Sequence, residues 1–395
     1  MPSPQSQYAQ QCHSFLLRHP DYFLDAAAQY YPFTQAQLIK YKDRLKWYLI
    51  SENQNICWSY DLLQATKNLI DWEILSYNPS AFKDLSLLDT FSELIDWVGH
   101  DNYYGDTISS NKGLPWDMDF IQKYEAKINF EKLSQNTSVQ WSEKLIDKYL
   151  NSWDLVELGR NDSVPWTLKL FDKYLDESYF EKWQINSNSK IISNFDIVDK
   201  YKSSLNWNAI SSNPYLPWAE KNLLYHWSDR IKWSGIARNE FLFKNDKTFF
   251  IKHLDKWYAN NYNLFGSLSS NPALPWDKFF IDYYKPFWNW EDISLNEGIP
   301  WSIELIDTIV DVLPWGVFRD SCLEDEYGKI IAPTGGLILD EGLVLNESVP
   351  WTVEMLEHFE NKLDFRVLRL NKAVWNRAFN PLVDESMVED LMDLV

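Results

Sequence analysis

Cys12 beside His13 is the nearest approach to a nucleophile and its base in this sequence. An imidazole activates a thiol only within hydrogen-bond reach, and adjacent residues on a helix point apart, so the pair reads as part of a solvated helical segment. The other histidines, His19, His100, His226, His253 and His358, are scattered, and no H-E-x-x-H, paired-cysteine or glycine-rich phosphate-loop pattern occurs. Cys12, Cys57 and Cys322 are odd in number and far apart, which gives neither a disulfide framework nor a metal-ligand pair. Carboxylates are too plentiful for any two to be informative, because acid–base work depends on a separation in space. The sequence thus predicts no catalytic residue, no metal ligand and no cofactor.

Of 395 residues, 37 are Lys or Arg and 57 Asp or Glu, a net charge of −20, with 45% apolar and 16% aromatic residues. That much apolar surface can offset the entropy of ordering the chain. The acidity argues against electrostatic capture of nucleic acid or anionic lipid. Trp, at 21, outnumbers Gly, at 12, so large rigid side chains prevail over the residue of phosphate loops and sharp β corners. No apolar run reaches the ~18 residues of a membrane span, and the first residues lack a signal-peptide pattern. The expectation is a cytoplasmic protein outside the membrane.

What must position any functional residue is a repeat. Asn53, Asn78, Asn111, Asn136, Asn161, Asn188, Asn213, Asn239, Asn271, Asn296, Asn346 and Asn371 are separated by 25, 33, 25, 25, 27, 25, 26, 32, 25, 50 and 25 residues. Other columns agree: three residues before each Asn stands an Ile or Leu, three after an Ile, Leu or Val with the exception of Ala81, and five after recur Trp58, Trp116, Trp141, Trp166, Trp218, Trp276, Trp301 and Trp351. Apolar positions in steps of three are helical, not the alternation of a strand. One residue after the Trp column come Ser59, Asp84, Asp117, Ser142, Thr167, Asn194, Asn245, Asp277, Ser302 and Thr352, types that cap helix N-termini; Ala219 and Arg377 break the column. Each copy reads as a short helix, a turn often carrying Pro and Trp, and a helix of about three turns. The Trp and Asn columns read as shared packing and as a hydrogen-bond ladder rather than as ligand contacts.

Neither helix can bury its stripe alone, so the copies must stack. The predicted fold is all-α: an elongated α-solenoid of roughly 12–13 two-helix repeats, with a β-hairpin-like insertion near 320–342. Residues 1–31 form an N-terminal helical cap, with helices over Gln5–Arg18 and Asp21–Tyr31. Residues 32–380 are the repeats, with an irregular module at 316–342, and 381–395 an acidic cap at the other end. Runs such as LSSNPYLPWAEK, LSSNPALPWDKF and ISLNEGIPWSIELIDTIV resemble the tryptophan-rich tandem-repeat proteins with a W-x-x-L-S-x-N-x-x-L-P-W-S unit, over about Tyr31 to Asn380. The resemblance implies a helical repeat scaffold and carries no site residue. Lys83, Ser193, Lys244 and Asn376 depart from it where Trp is expected.

Function is sought where the period breaks. Two insertions of 8 and 7 residues, near Val98 to Asp106 and Leu254 to Asn263, carry Tyr103, Tyr104, Trp257, Tyr258 and Tyr262. Such rings either contact a partner or fold back onto neighbouring helices. Between Asn296 and Asn346, Lys329–Ala332 and Leu337–Leu339 flank Pro333, Thr334, Gly335 and Gly336 as a hairpin would, in what reads as a replaced half-repeat. From Ser302 to Val395, 19 acidic and 7 basic residues give a net −12, either a solvated surface or an attraction for a basic partner. The expected function is a non-catalytic scaffold that binds a protein, a basic one where the acidic surface takes part, through Tyr103, Tyr104, Trp257, Tyr258, Asp320, Glu324, Asp325, Glu326 and Tyr327. The alternatives are an immunity-type inhibitor or nucleic-acid mimic that neutralises a basic toxin or nucleic-acid-binding enzyme, and an enzyme built on the 316–342 module.

Overall fold

The computed structural model describes residues 4–99, 106–174, 188–258, 263–324 and 330–394, without the side chains of 4–6, 263 and 320–337. Among the described residues the chain is rich in helix, with one small two-stranded antiparallel sheet. It divides into two compact units, residues 27–235 and residues 1–26 together with 236–395.

In the unit 27–235 the 25-residue pattern becomes a fixed local structure. A six-residue helix such as Trp47–Glu52, Phe130–Gln135 or Trp207–Ser212 ends at the column Asn. So short a helix satisfies few of its own carbonyls. The next column Asn supplies the missing donors: Asn136 Nδ2 reaches the carbonyls of Ser109 and Asn111 at 2.8 and 3.2 Å, and Asn161 those of Ser134 and Asn136 at the same distances. Its Oδ1 accepts from its own chain two residues on, as from Ser138 N at 2.9 Å, which turns the backbone. Asn78 and Asn111 repeat the arrangement, Asn53 uses the carbonyls of Ala28 and Tyr31, and all these Asn are buried. The ladder expected of this column is present from Asn53 to Asn161, after which Asn188 bonds the Gly159 carbonyl and Asn213 Nδ2 the Ser193 hydroxyl.

The turn then delivers the Trp and the second helix. Ser59, Asp117, Ser142, Thr167 and Asn194 cap as expected, each accepting from the backbone N–H three residues on. Asp84 instead accepts from Ser86 N, and its helix begins at Ser86. At Ala219, which has no acceptor, the helix starts only after Asn222, held at φ 47°. The second helices Tyr60–Thr66 and Met118–Tyr124 are shorter than three turns, spanning seven residues, because Leu69 and Ile70 N–H both return to the Thr66 carbonyl, and Lys127 and Ile128 N–H to the Tyr124 carbonyl, and tighten the end. Gly113 permits the closest approach, since a Cβ there would stand 1.9 Å from the carbonyl oxygen of Pro79 in the preceding segment.

In the other unit the ladder continues from Asn271 onto Ala237, from Asn296 onto Ser269 and from Asn371 onto Val344 and Asn346. Asp277, Ser302 and Thr352 cap second helices as expected. Asn245 does not, because without Trp at Lys244 the segment after Asn239 stays helical through Asn245, capped by Asn239 itself. Asn371 likewise caps the helix Lys372–Val374, before the missing Trp at Asn376. Asn346 bonds to Ser294 and Asn296 at 2.9 and 3.3 Å, so the 50-residue gap is a single step of the ladder and the module is an insertion, not a replaced half-repeat.

That insertion is β1 (Val317–Glu324) paired antiparallel with β2 (Ile330–Asp340). Pro333 to Gly336 lie within β2 and not at the reversal: Cys322 faces Pro333 while Asp320 faces Leu337, so two extra residues bulge out. The strand pair is anchored by Phe318, whose N–H donates to Asp364 and whose carbonyl accepts from Arg366.

The two terminal segments, expected at opposite ends, meet within this unit. Helices α1 (Pro4–Arg18) and α2 (Pro20–Tyr30) start where expected to within a residue. Phe15 packs on Phe365 and Phe379, the His19 ring stacks on Phe365 at 3.9 Å, and Arg18 pairs with Glu357 at 2.9 Å. Cys12 is thereby fully buried, not solvated, and burial pushes its thiol up to about 12, which leaves no thiolate for nucleophilic work.

Two substitutions test this architecture. Asn136→Ala leaves the Ser109 and Asn111 carbonyls without these donors and is expected to cost about 2–4 kcal/mol in denaturant titration, whereas Gln135→Ala, an exposed neighbour, is expected to cost less than about 0.5 kcal/mol. Phe15→Ala empties a fully buried site and is expected to cost about 3–5 kcal/mol and to speed hydrogen exchange in 353–394, at least 338 residues away in sequence.

Candidate binding grooves

Because the column Asn faces inward, its sequence neighbours face out. Residues one and four before it share a helix face, and the residue after it stands alongside. In the unit 27–235 these positions line an open groove of about 390 Å³: Tyr77, Ser110 and Gln135 precede an Asn, Gln54, Pro79 and Lys112 follow one, and Lys132 stands four before Asn136, with Asp106 at the rim. In the other unit the same positions line a groove of about 280 Å³: Ser270 and Leu295, then Glu240, Pro272 and Glu297, then Asp292.

The two grooves differ in charge. Burial, followed by the carboxylates of Glu52, Asp106, Asp71 and Glu73, pushes the Tyr77 phenol up to about 12, so it stays a neutral donor and acceptor. Lys112 and Lys132 have no carboxylate partner among the described residues. Among the described residues the smaller groove is lined by Glu240, Asp292 and Glu297 and no basic residue, although Glu240 pairs with Lys244, and burial raises Asp292 despite nearby Arg238.

A different surface is closed by its own chemistry. Lys173 and the Tyr174 hydroxyl both bond Asp147 of the preceding second helix, Lys200 and Tyr201 bond Asp172, and Lys123 and Tyr124 bond Asp89. The lysine bonds hold all three carboxyls below their usual range. Phe279 and Tyr283, stacked one turn apart at 5.8 Å, stand 75% and 64% exposed on the helix Lys278–Tyr283.

Of the residues singled out from sequence, Trp257 is wholly buried and its indole N–H donates to the Phe250 carbonyl at 2.8 Å, so it folds back into the interior and cannot meet a partner. Tyr258 is 49% exposed beside Phe265 and Phe287. Asp320 and Glu324 lie on β1, while Tyr103, Tyr104, Tyr262, Asp325, Glu326 and Tyr327 lie outside the described residues. The groove residues were missed because they vary where the columns recur; the Asp-Lys-Tyr run at 147–149, 172–174 and 199–201 was a visible signal for the closed surface. Among the described residues no three His, Cys, Asp or Glu side chains are grouped to hold a metal, and no helix is long and apolar enough to cross a membrane.

The raised phenols fix a sign for alkaline stability. Tyr77 and Tyr149, the latter buried and bonded to Glu125, both ionise at about 12 in place of 10. The stability they contribute is complete below pH 10 and is lost as pH climbs through 12. Denaturant midpoints across that window should fall less steeply for Tyr77→Phe with Tyr149→Phe than for the wild type, and phenolate absorbance should show two fewer late-titrating groups.

No family model matches the chain, and no curated protein or solved structure matches it either.

Proposed function

We propose that this chain is a non-catalytic, cytoplasmic helical repeat scaffold, an α-solenoid of the tryptophan-rich tandem-repeat kind, that binds a partner protein through the positions flanking its Asn column. One observation supports the reading above others: the recurring residues are engaged in segment-to-segment bonds, while the exposed positions beside them vary in type and line a groove in each compact unit. Invariant interior with variable flanks is the chemistry of recognition on a fixed frame. The β1–β2 insertion and Tyr258 offer further contact surface.

A second reading, an inhibitor of a basic toxin or nucleic-acid-binding enzyme, is favoured by the acid-lined groove of Glu240, Asp292 and Glu297 and by the net −12 of residues 302–395. Affinity capture from the native host, washed at low and moderate salt, tests both. The scaffold reading expects a specific protein that survives both washes and is lost when the flanking positions of both grooves are changed together to Ala. The inhibitor reading expects a basic protein whose retention falls steeply with salt and depends on the acidic groove alone. Capture of nothing specific, or capture indifferent to both sets of changes, sinks them.

A further inference from the structure

The β1–β2 pair has one closed edge and one open edge. Both backbone groups of Phe318 turn away from β2: its N–H donates to Asp364 Oδ2 at 3.1 Å and its carbonyl accepts from Arg366 at 3.0 Å. Ladder bonds alternate along an antiparallel pair. Phe318 and Leu339, which stand opposite each other, therefore exchange none, and the N–H and C=O of Leu339 point away from β1. Those of Leu337, opposite Asp320, do the same. Among the described residues no hydrogen bond reaches Leu337 or Leu339 from outside the strand pair. Folded chains blunt such an edge with proline, lysine or a bulge. Here Pro333 and the bulge interrupt β2 only before Leu337, and Leu337 to Asp340 run in regular register. Asp340, the one charge in that stretch, is held by Arg319 at 2.7 Å. Ile338 and Val317, on the same face as that ion pair, stand 39% and 43% exposed.

We propose that this edge pairs with the same edge of a second copy of the chain, joining two strand pairs into one antiparallel sheet about a twofold axis at Ile338. An open edge accepts only an extended backbone, and the register argues for self-pairing. Leu337, Ile338 and Leu339 read the same in either direction. An antiparallel copy thus sets Leu337 of one chain opposite Leu339 of the other, outward groups facing outward groups, and each such pair exchanges both of its bonds. The two Ile338 meet at the axis as a non-hydrogen-bonded pair, with their exposed side chains about 5 Å apart. Asp340 falls opposite Gly336, so no carboxylates meet. A slip of one residue would set outward groups against inward ones, which fixes the register. A two-stranded pair is marginal by itself and gains from further strands. Two chains of net charge −20 repel, so the pairing rests on backbone bonds and apolar contact and tightens as salt screens the repulsion. The inference goes beyond the scaffold reading and does not rest on it.

Sedimentation equilibrium of the full chain, at concentrations up to about 1 mM, reads the association. The expected outcome is a reversible monomer–dimer equilibrium that tightens from low to moderate salt. Ile338→Lys and Ile338→Glu each set like charges at the axis and should weaken it at least about tenfold. An equimolar mixture of the two should associate to within about threefold of the wild type, because only the mixed pair sets opposite charges across the axis. Leu339→Pro removes the outward N–H and leaves the β1–β2 bonds in place. It should weaken the pairing to a similar degree, and it decides the matter if the charged variants alter the thermal midpoint. A chain monomeric throughout, association lost on adding salt, less than about twofold weakening in I338K, or a mixture that does not recover would each overturn the proposal. The capture experiment decides the scaffold reading on its own.

Discussion

A carboxamide buried against the end of a six-residue helix is the interaction on which the rest depends. Such a helix is barely long enough to make its own bonds, so its last carbonyls face an interior without water. Asparagine answers with two donors on one nitrogen and an acceptor for its own backbone. Asp at these positions would lose the donors, Ser would reach too few groups, and Gln would add a methylene to a packed site. Trp116, Trp218, Trp276 and Trp301 add a third bond to the same point, each indole N–H donating to the column Asn carbonyl five residues back.

That interior demand decides where variation is allowed. Positions engaged in the ladder are fixed by geometry, and the Ser two before the Asn belongs with them: Ser134 Oγ donates to the Phe130 carbonyl and accepts from Asp154 N, and Ser76 and Ser269 do the same in their segments. Positions beside the ladder carry no such duty, and there the neutral Gln54, the basic Lys112 and Lys132 and the acidic Glu240 and Glu297 stand in equivalent or neighbouring places.

The period, the Asn ladder, most second-helix caps and the two N-terminal helices were legible because each recurs or obeys local rules of helix termini. The Ser column and the caps of the first helices, Asp71, Asn129, Asp154, Asn206 and Asn289, were equally visible in register and were not read. The grooves were illegible, since a position that must vary leaves no periodic signal. Trp257 was misjudged because aromatic content in an insertion says nothing of direction, and the Phe250 carbonyl that draws the indole inward is a neighbour only in space. The turn chemistry of Pro333 to Gly336 became a bulge because pairing partners, not local propensity, decided where the strands reverse. The meeting of α1 with residues 357–379 joins stretches of sequence that share no pattern.

This last feature makes one compact unit discontinuous, with residues 1–26 made long before their partners at 357–379. At roughly 5–20 residues per second on the ribosome, α1 waits on the order of 20–80 s before Phe365 and Phe379 exist. Throughout that interval Phe15, Leu16 and Phe23, all destined for full burial, are exposed on a nascent chain. Synthesis of this unit therefore separates α1 in time from Phe365 and Phe379, the rings it packs on.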